Sequence, residues 1–390
     1  MPDGSRRFDG YLPNINADKL KPMMRLWGQS TQLRKDECAA AIRQGLADPA
    51  RVKAALDTLT PAEANALALV KAAGGAMNAR QLAIALLMTG KAAKNKQRYR
   101  GSEITYLLEP IMRRGLLLIE TQRDPFYFGS HDRDVTVFTD ERLLAQAGNP
   151  SIEPFKIKPM PLPGATLVRR PQTVALDLIS ILQTIEKLGG IQLTKDGRPR
   201  TSDVRSLAKA MGWKDDAWRV DGLAFPAPSL AWISILWRAR LLAQQGDVLL
   251  PREPTSAFAV RPYADQVRPA LAGVVRATDW DERGQSISGY RFYMTHALAQ
   301  MRQALLVGLT ALPPATAAFF AMDDLDHEIY QRVGEDLTLD YRAGPPYNYG
   351  KTASQYQEEL AAWRDKIRQQ WLQVERPWFD SALTLSLIHI

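Results

Sequence analysis

Residues 59–90 read LTPAEANALALVKAAGGAMNARQLAIALLMTG, and the order of elements in this stretch decides the fold. Thr60 precedes Pro61 and is followed three residues on by Glu63, so a helix is predicted to start at Pro61 behind a capping box. Leu67, Leu69 and Val70 supply its apolar positions. Gly74-Gly75 stops it, because glycine takes the left-handed conformation that ends helices. Ala76-Met77 then forms a short strand, and Asn78 caps a second helix that runs to Met88. The next stretch, GKAAKNKQRYRGSEITYLLEPIMRRGLL from Gly90 to Leu117, opens with five cations and no acid: Lys91, Lys94, Lys96, Arg98 and Arg100. Ser102 starts a third helix with Ile104, Leu107, Leu108 and Ile111 on one face, ending at Arg114-Gly115. LLLIE (Leu116–Glu120) is a strand, Asp124-Pro125 a turn, and DVTVFT (Asp134–Thr139) the returning strand.

Helix, short strand, helix, helix and a two-stranded wing is the order of a winged helix, within the helix-turn-helix group. A similar order recurs downstream. Gln172–Leu188 is helical, Gly189-Gly190 stops it, and IQLT (Ile191–Thr194) is a strand. After the turn KDGRPR, Thr201 and Ser202 start a helix through Met211. A third helix is predicted over Ser229–Ala243, and DVLLP begins a wing. Both copies share the double-glycine joint and an arginine-led exit, Arg113–Leu117 and Arg238–Leu242. The copies lie more than one hundred residues apart, which fits two diverged units rather than a solenoid. The expected fold class is therefore mainly α with small β-wings (α+β), with tandem winged-helix domains over 54–145 and 172–254.

Around these units, residues 1–16 are expected to be a flexible tail and 17–50 a helical hairpin. In the hairpin, DKLKPMMRLWG (Asp18–Gly28) and LRKDECAAAIRQGL (Leu33–Leu46) flank a glycine-containing turn. Residues 146–171 form a basic linker stiffened by Pro154, Pro159, Pro161, Pro163 and Pro171. Residues 255–310 read as a helical connector, and 311–384 as an incomplete third winged-helix-like unit. The last six residues, LSLIHI (Leu385–Ile390), equal the in-frame translation of CTGTCTCTTATACACATC, the end of a widely used sequencing-library transposon. Residues 385–390 are therefore expected to be a sequencing-adapter artefact, with the natural sequence continuing past Thr384, and His389 is not read as a site.

Of the 390 residues, 46% are hydrophobic and 24% charged, the balance of a folded water-facing protein. The single cysteine, Cys38, excludes an internal disulfide framework and a cysteine-based zinc site. The start, MPDGSRRFDG, lacks the apolar core of a signal peptide. No uncharged apolar run approaches the roughly 20 residues of a membrane span, so the expected location is cytoplasmic and nucleoid-associated. The net charge of +8 is unevenly spread. Residues 51–120 hold eleven Lys/Arg against five Asp/Glu, and 156–220 hold twelve against six, whereas 301–390 hold eight against twelve. Two basic blocks point to a polyanion, and the acidic end to a protein partner.

Catalytic and cofactor constellations are wanting. GPPYNYGKT (Gly344–Thr352) fails as a phosphate-binding loop, because Pro345 stands where the first glycine is needed and two prolines remove N–H donors. His327 lies in DDLDHE with no second histidine nearby and reads as part of a solvated acidic helix face. His131 and His296 are isolated. Trp232, Trp237, Trp363 and Trp371 fall at helical spacings expected of core or interface. No catalytic residue, cofactor, metal or small-molecule substrate is expected.

The hairpin resembles a SAP-type DNA-binding module, with Arg34 and Lys35 at the opening of its second helix, where N–H groups attract phosphate. The phrases LTKDGRPRTSDVRSLAKAMG (Leu193–Gly212) and VERPWFDSALT (Val374–Thr384), with the joined winged helices, resemble a bacterial group related to the non-motor N-terminal region of XPB-type DNA helicases. That resemblance spans about residues 20–384 and implies a helicase-associated, DNA-handling role without the motor. Lys91, Lys94, Lys96, Arg98 and Arg100 are then the expected phosphate contacts of the first unit. Ser102, Glu103, Thr105 and Tyr106 stand where base edges are reached. In the second unit the candidates are Arg198, Arg200, Thr201, Ser202 and Arg205. The alternatives are a protein-interaction scaffold or the accessory part of a larger enzyme.

Overall fold

A computed structural model describes residues 8–28, 32–92, 102–119, 135–158, 172–213, 217–220, 223–277, 291–312, 322–337, 346 and 349–377. The protein is mainly helical, with small antiparallel sheets. Helices α1 (Ala17–Met24) and α2 (Lys35–Ala47) form a hairpin, closed after a short 3-10 turn by Gly28 at φ 65°. Helix α3 (Pro49–Leu56) follows directly, capped by Asp48. Residues 8–16, expected to belong to a flexible tail, are instead anchored. Phe8, Leu12 and Ile15 are buried because apolar side chains this close to the core gain by leaving water. The Phe8 N–H donates to the fully buried Asp140 carboxylate at 2.8 Å, and Arg142 pairs with the same carboxylate at 2.7 Å. That bond to Asp140 raises the Arg142 pKa.

The first repeated unit consists of α4 (Pro61–Ala72), β1 (Ala76–Asn78), α5 (Ala79–Met88), α6 (Ser102–Arg113), β2 (Leu118–Ile119) and β3 (Thr136–Phe138). α4 carries the capping box, with Glu63 accepting from the Thr60 N–H at 2.8 Å. Asn78 caps α5 through the N–H groups of Arg80 and Gln81. Helix α7 (Glu141–Gln146) packs under this unit against α3. The second unit consists of α8 (Gln172–Lys187), β4 (Ile191–Gln192), α9 (Thr201–Met211), β5 (Ala217–Val220), β6 (Leu223–Pro226), α10 (Ala227–Arg238), β7 (Leu242–Gln245) and β8 (Val248–Pro251).

In both units the last strand lies in the middle of a three-stranded antiparallel sheet: β1-β3-β2 and β4-β8-β7. The double-glycine joint is also the same turn twice. Gly75 N–H reaches Val70 O at 2.8 Å, and Gly190 N–H reaches Ile185 O at 2.9 Å. Gly190 has φ 99°, and a Cβ there would lie 2.8 Å from the Leu249 carbonyl oxygen, so only glycine fits.

Two expectations fail here. The predicted helix 229–243 ends at Arg238, because Arg240 turns left-handed at φ 60° and Leu242–Gln245 pairs as a strand. The β5–β6 hairpin between α9 and α10 has no counterpart in the predicted order.

The chain then divides its allegiance. α11 (Thr255–Ala259) and α12 (Tyr263–Arg276) pack on the second unit, whereas α13 (Arg291–Thr310) packs on α5 of the first. The expected 255–310 connector is thus two pieces with different hosts. α14 (Met322–Ile329) continues through a π turn (Tyr330–Gly334) into α15 (Glu335–Leu337), and α16 (Ala353–Gln370) ends in a second π turn (Trp371–Glu375). The two π turns meet where Tyr330 and Trp371 sit edge to face, 5.3 Å apart. Among the described residues of 311–384 there is no strand, so the third winged-helix-like unit gains no support there.

The first unit and the C-terminal helices share one core, in which Leu82, Leu86 and Phe138 join Leu305, Ile329 and Trp371. A second core gathers Leu178, Ile185, Leu207, Leu236 and Leu249. The start of the predicted linker belongs to the first core too, since Phe155 and Ile157 are buried and Phe155 N–H donates to Ala311 O at 2.7 Å. Residues 159–171 and 385–390 lie outside the described residues. Among the described residues, no helix is long and apolar enough to cross a membrane.

Candidate nucleic-acid interface

The candidate cations fall into three groups that the structure treats differently. At the hairpin, Lys35 is committed: its Nζ donates to the Pro13 carbonyl at 2.7 Å and ties down the N-terminal segment. Arg34 is exposed at the start of α2, but its own N–H donates to Glu37 at 2.7 Å, and Asp36 stands beside it. The helix opening expected to attract phosphate is therefore already furnished with carboxylates.

In the first unit only part of the predicted site is visible. Lys91 is exposed, with its N–H on the Thr89 hydroxyl at 3.3 Å. Lys94, Lys96, Arg98 and Arg100 lie outside the described residues. Ser102, Glu103, Thr105 and Tyr106 fall within α6, and their side chains lie outside the description. The neighbouring helix is better defined. Every residue of α5 from Leu82 to Met88 is buried, because α4, α6 and α13 all pack on it. Arg332 seals its end. Its guanidinium donates to Met88 O at 2.6 Å and Glu153 O at 2.8 Å, and stacks 4.4 Å over Phe155. Burial lowers the Arg332 pKa, against the pull of Glu328 and Glu153.

In the second unit the predicted residues come together. A tight turn holds Thr194 N–H to Arg198 O at 2.7 Å and Arg200 N–H to Gln192 O at 2.7 Å, with Gly197 at φ 73°. This delivers Arg198, half-buried, and Arg200, exposed, to the mouth of α9. Asp203 locks the junction, accepting the Gln192 N–H at 2.8 Å and the Ser202 hydroxyl at 2.9 Å. Thr201, Ser202 and Arg205 follow on α9, which buries only Val204, Leu207 and Ala208. Its outer face is thus free for solvent or a ligand.

Lys195 in the turn and Lys209, four residues beyond Arg205, are exposed in the same region and were not among the predicted residues. Their signal was available, since residues four apart share a helix face. Among the described residues, Lys195, Arg200, Arg205 and Lys209 make no ion pair, in contrast to Arg114, which bonds Glu63 at 2.6 Å. The third helix, α10, is not the exposed element here. α12 crosses it so closely that a Cβ on Gly273 would lie 2.3 Å from the Ile235 carbonyl oxygen.

Other candidates resolve as structure. Asp326 accepts from Trp371 Nε1 at 2.8 Å, and Arg376 bonds Asp323, so two of the acids around His327 already have partners. No group of three or more metal-ligating side chains occurs among the described residues. Cys38 is buried, and burial raises its thiol pKa. Comparison with family models, curated proteins and solved structures gives no match.

Proposed function

We propose that this chain is a non-catalytic DNA-binding protein of helicase-associated or nucleoid type, built on two winged helices. The second unit binds duplex phosphate through the β4–α9 turn and the outer face of α9. The winged-helix reading is supported by the shared element order and by the last strand lying between the other two in both sheets. The observation that carries the DNA reading is the exposed, unpaired set Lys195, Arg200, Arg205 and Lys209 along one turn and one helix face. Phosphate contacts from such cations dominate affinity and release counterions, so binding falls steeply with salt. Backbone positioning rather than base reading is the natural task of this surface.

The test is duplex binding by the full chain at several salt concentrations. Changing Arg205 and Lys209 to Gln is expected to weaken binding about tenfold or more at low salt and to flatten the log–log salt slope by about 2. No binding at low salt favours the protein-scaffold alternative, which draws support from α5 and α10 being enclosed by helices. Binding that ignores these changes but falls with substitutions at 91–100 moves the interface to the first unit.

A further inference from the structure

The two units leave their third helices through the same turn, with one residue exchanged. Gly115 N–H reaches Met112 O at 2.7 Å and Leu116 N–H reaches Ile111 O at 3.2 Å; Arg240 and Leu241 repeat this on Trp237 O at 3.0 Å and Leu236 O at 2.9 Å. Gly115 has φ 76°, and Arg240 holds the equivalent position at φ 60°, the one non-glycine residue with positive φ among the described residues. Glycine suits this left-handed position and a side chain there is strained, so an arginine calls for a reason. At position 115 a Cβ would lie 2.4 Å from Met23 Cε. At position 240 the side chain opens onto a cleft.

That cleft has a volume of about 480 Å³, within the range of small-molecule sites. Arg240, Arg252 and Arg261 line it, with Pro251 and Pro269 as apolar wall over the buried Phe258. Its one carboxylate, Glu253, is taken by Arg261 at 2.5 Å. Arg240 and Arg252 make no ion pair among the described residues. Arg276 adds to the positive field, its pKa lowered by partial burial and then by the charge of Arg240. Guanidinium groups that outnumber the acids beside them match phosphate oxygens, and flat apolar walls match an aromatic ring.

We propose that this cleft is a nucleoside-phosphate site, with phosphate held by Arg240 and Arg252 and the base against the Pro251 and Pro269 wall. Its ligand is either a free nucleotide or the 5′-phosphorylated end of a strand. None of its residues lies on α9, so it stands apart from the duplex-binding reading.

The test is calorimetric titration of the full chain with ADP, with inorganic phosphate, and with a short single strand with and without a 5′-phosphate. Arg240→Gly is expected to weaken binding at least tenfold while leaving the melting temperature unchanged or higher, because glycine fits the turn. Arg252→Gln should weaken binding similarly. Loss on ADP assigns a free nucleotide, and loss confined to the phosphorylated strand assigns a strand end. The proposal is overturned if inorganic phosphate binds as tightly as ADP, if neither substitution changes binding, or if Arg240→Gly lowers the melting temperature, which marks a structural arginine. Equal loss of ADP binding on changing Arg205 and Lys209 also overturns it.

Discussion

The two units share the strand order of their three-stranded sheets and differ in what surrounds them. In the first, α5 is walled in by α4, α6 and α13, and its last carbonyl is sealed by Arg332 from 244 residues downstream. In the second, the corresponding helix α9 packs on α8, α10 and β6, buries Val204, Leu207 and Ala208, and leaves Arg205, Ser206, Lys209 and Ala210 exposed. A similar order of elements thus occurs once as a platform for other helices and once with a charged face exposed. Fold and surface are separate properties: element order fixes how strands pair, while the residues outside the core decide what a unit can meet.

Substitutions can break this comparison. The largest effect is expected in the enclosed helix. Leu86→Ala, with Leu86 1% exposed, should cost about 2–5 kcal/mol in urea unfolding through lost contact and the cavity left behind. If it costs no more than an exposed substitution on α9, the enclosure is wrong.

Next comes the exchanged turn residue. Gly115→Ala puts a Cβ at a left-handed position against Met23 and should cost about 2 kcal/mol. Arg240→Gly should raise stability by up to about 1 kcal/mol, measured by the same unfolding. Equal signs at the two positions would mean that the turns are not equivalent. Smaller still, Arg205→Gln and Lys209→Gln should each change stability by less than about 0.5 kcal/mol, since both are exposed and unpaired.

The smallest effect concerns pH. Burial, helped by Glu335, raises the Tyr330 pKa above its ordinary value of 10.0. The folded state therefore holds the phenol proton more tightly, so its stabilisation is complete below pH ~10 and declines as pH rises beyond it. Tyr330→Phe should flatten that decline, followed as the urea midpoint between about pH 9 and 11.

The parts of this fold written in local chemistry were legible in sequence. The Thr60–Glu63 capping box, the Asn78 cap and both double glycines act within a few residues, and each appears where the pattern places it. The end of α10 was misread because Leu241 and Leu242 continue an apolar helical pattern, while the break depends on Arg240 adopting a conformation that its residue type disfavours. The enclosure of α5 was invisible for another reason. Its run of apolar residues announces burial on all sides, but nothing in that run names α13 as the cover. At the candidate interface, the turn and Arg205 were legible from charge and spacing. The commitment of Lys35 to Pro13 depends on a tail whose folding the sequence did not signal.

The seal made by Arg332 has a consequence for the chain as it is synthesised. Met88 leaves the ribosome 244 residues ahead of the arginine that closes over it. At roughly 5–20 residues per second, that interval is about 12–50 s. For most of it, until α13 (Arg291–Thr310) is made, the outer face of α5 has no cover, and leucine-rich surface waits in a crowded solvent. The second core, drawn from the continuous stretch Val174 to Ala270, has no such delay. Slower elongation across the second unit should therefore lower the yield of folded chain, and a chaperone that shields apolar helices should restore it.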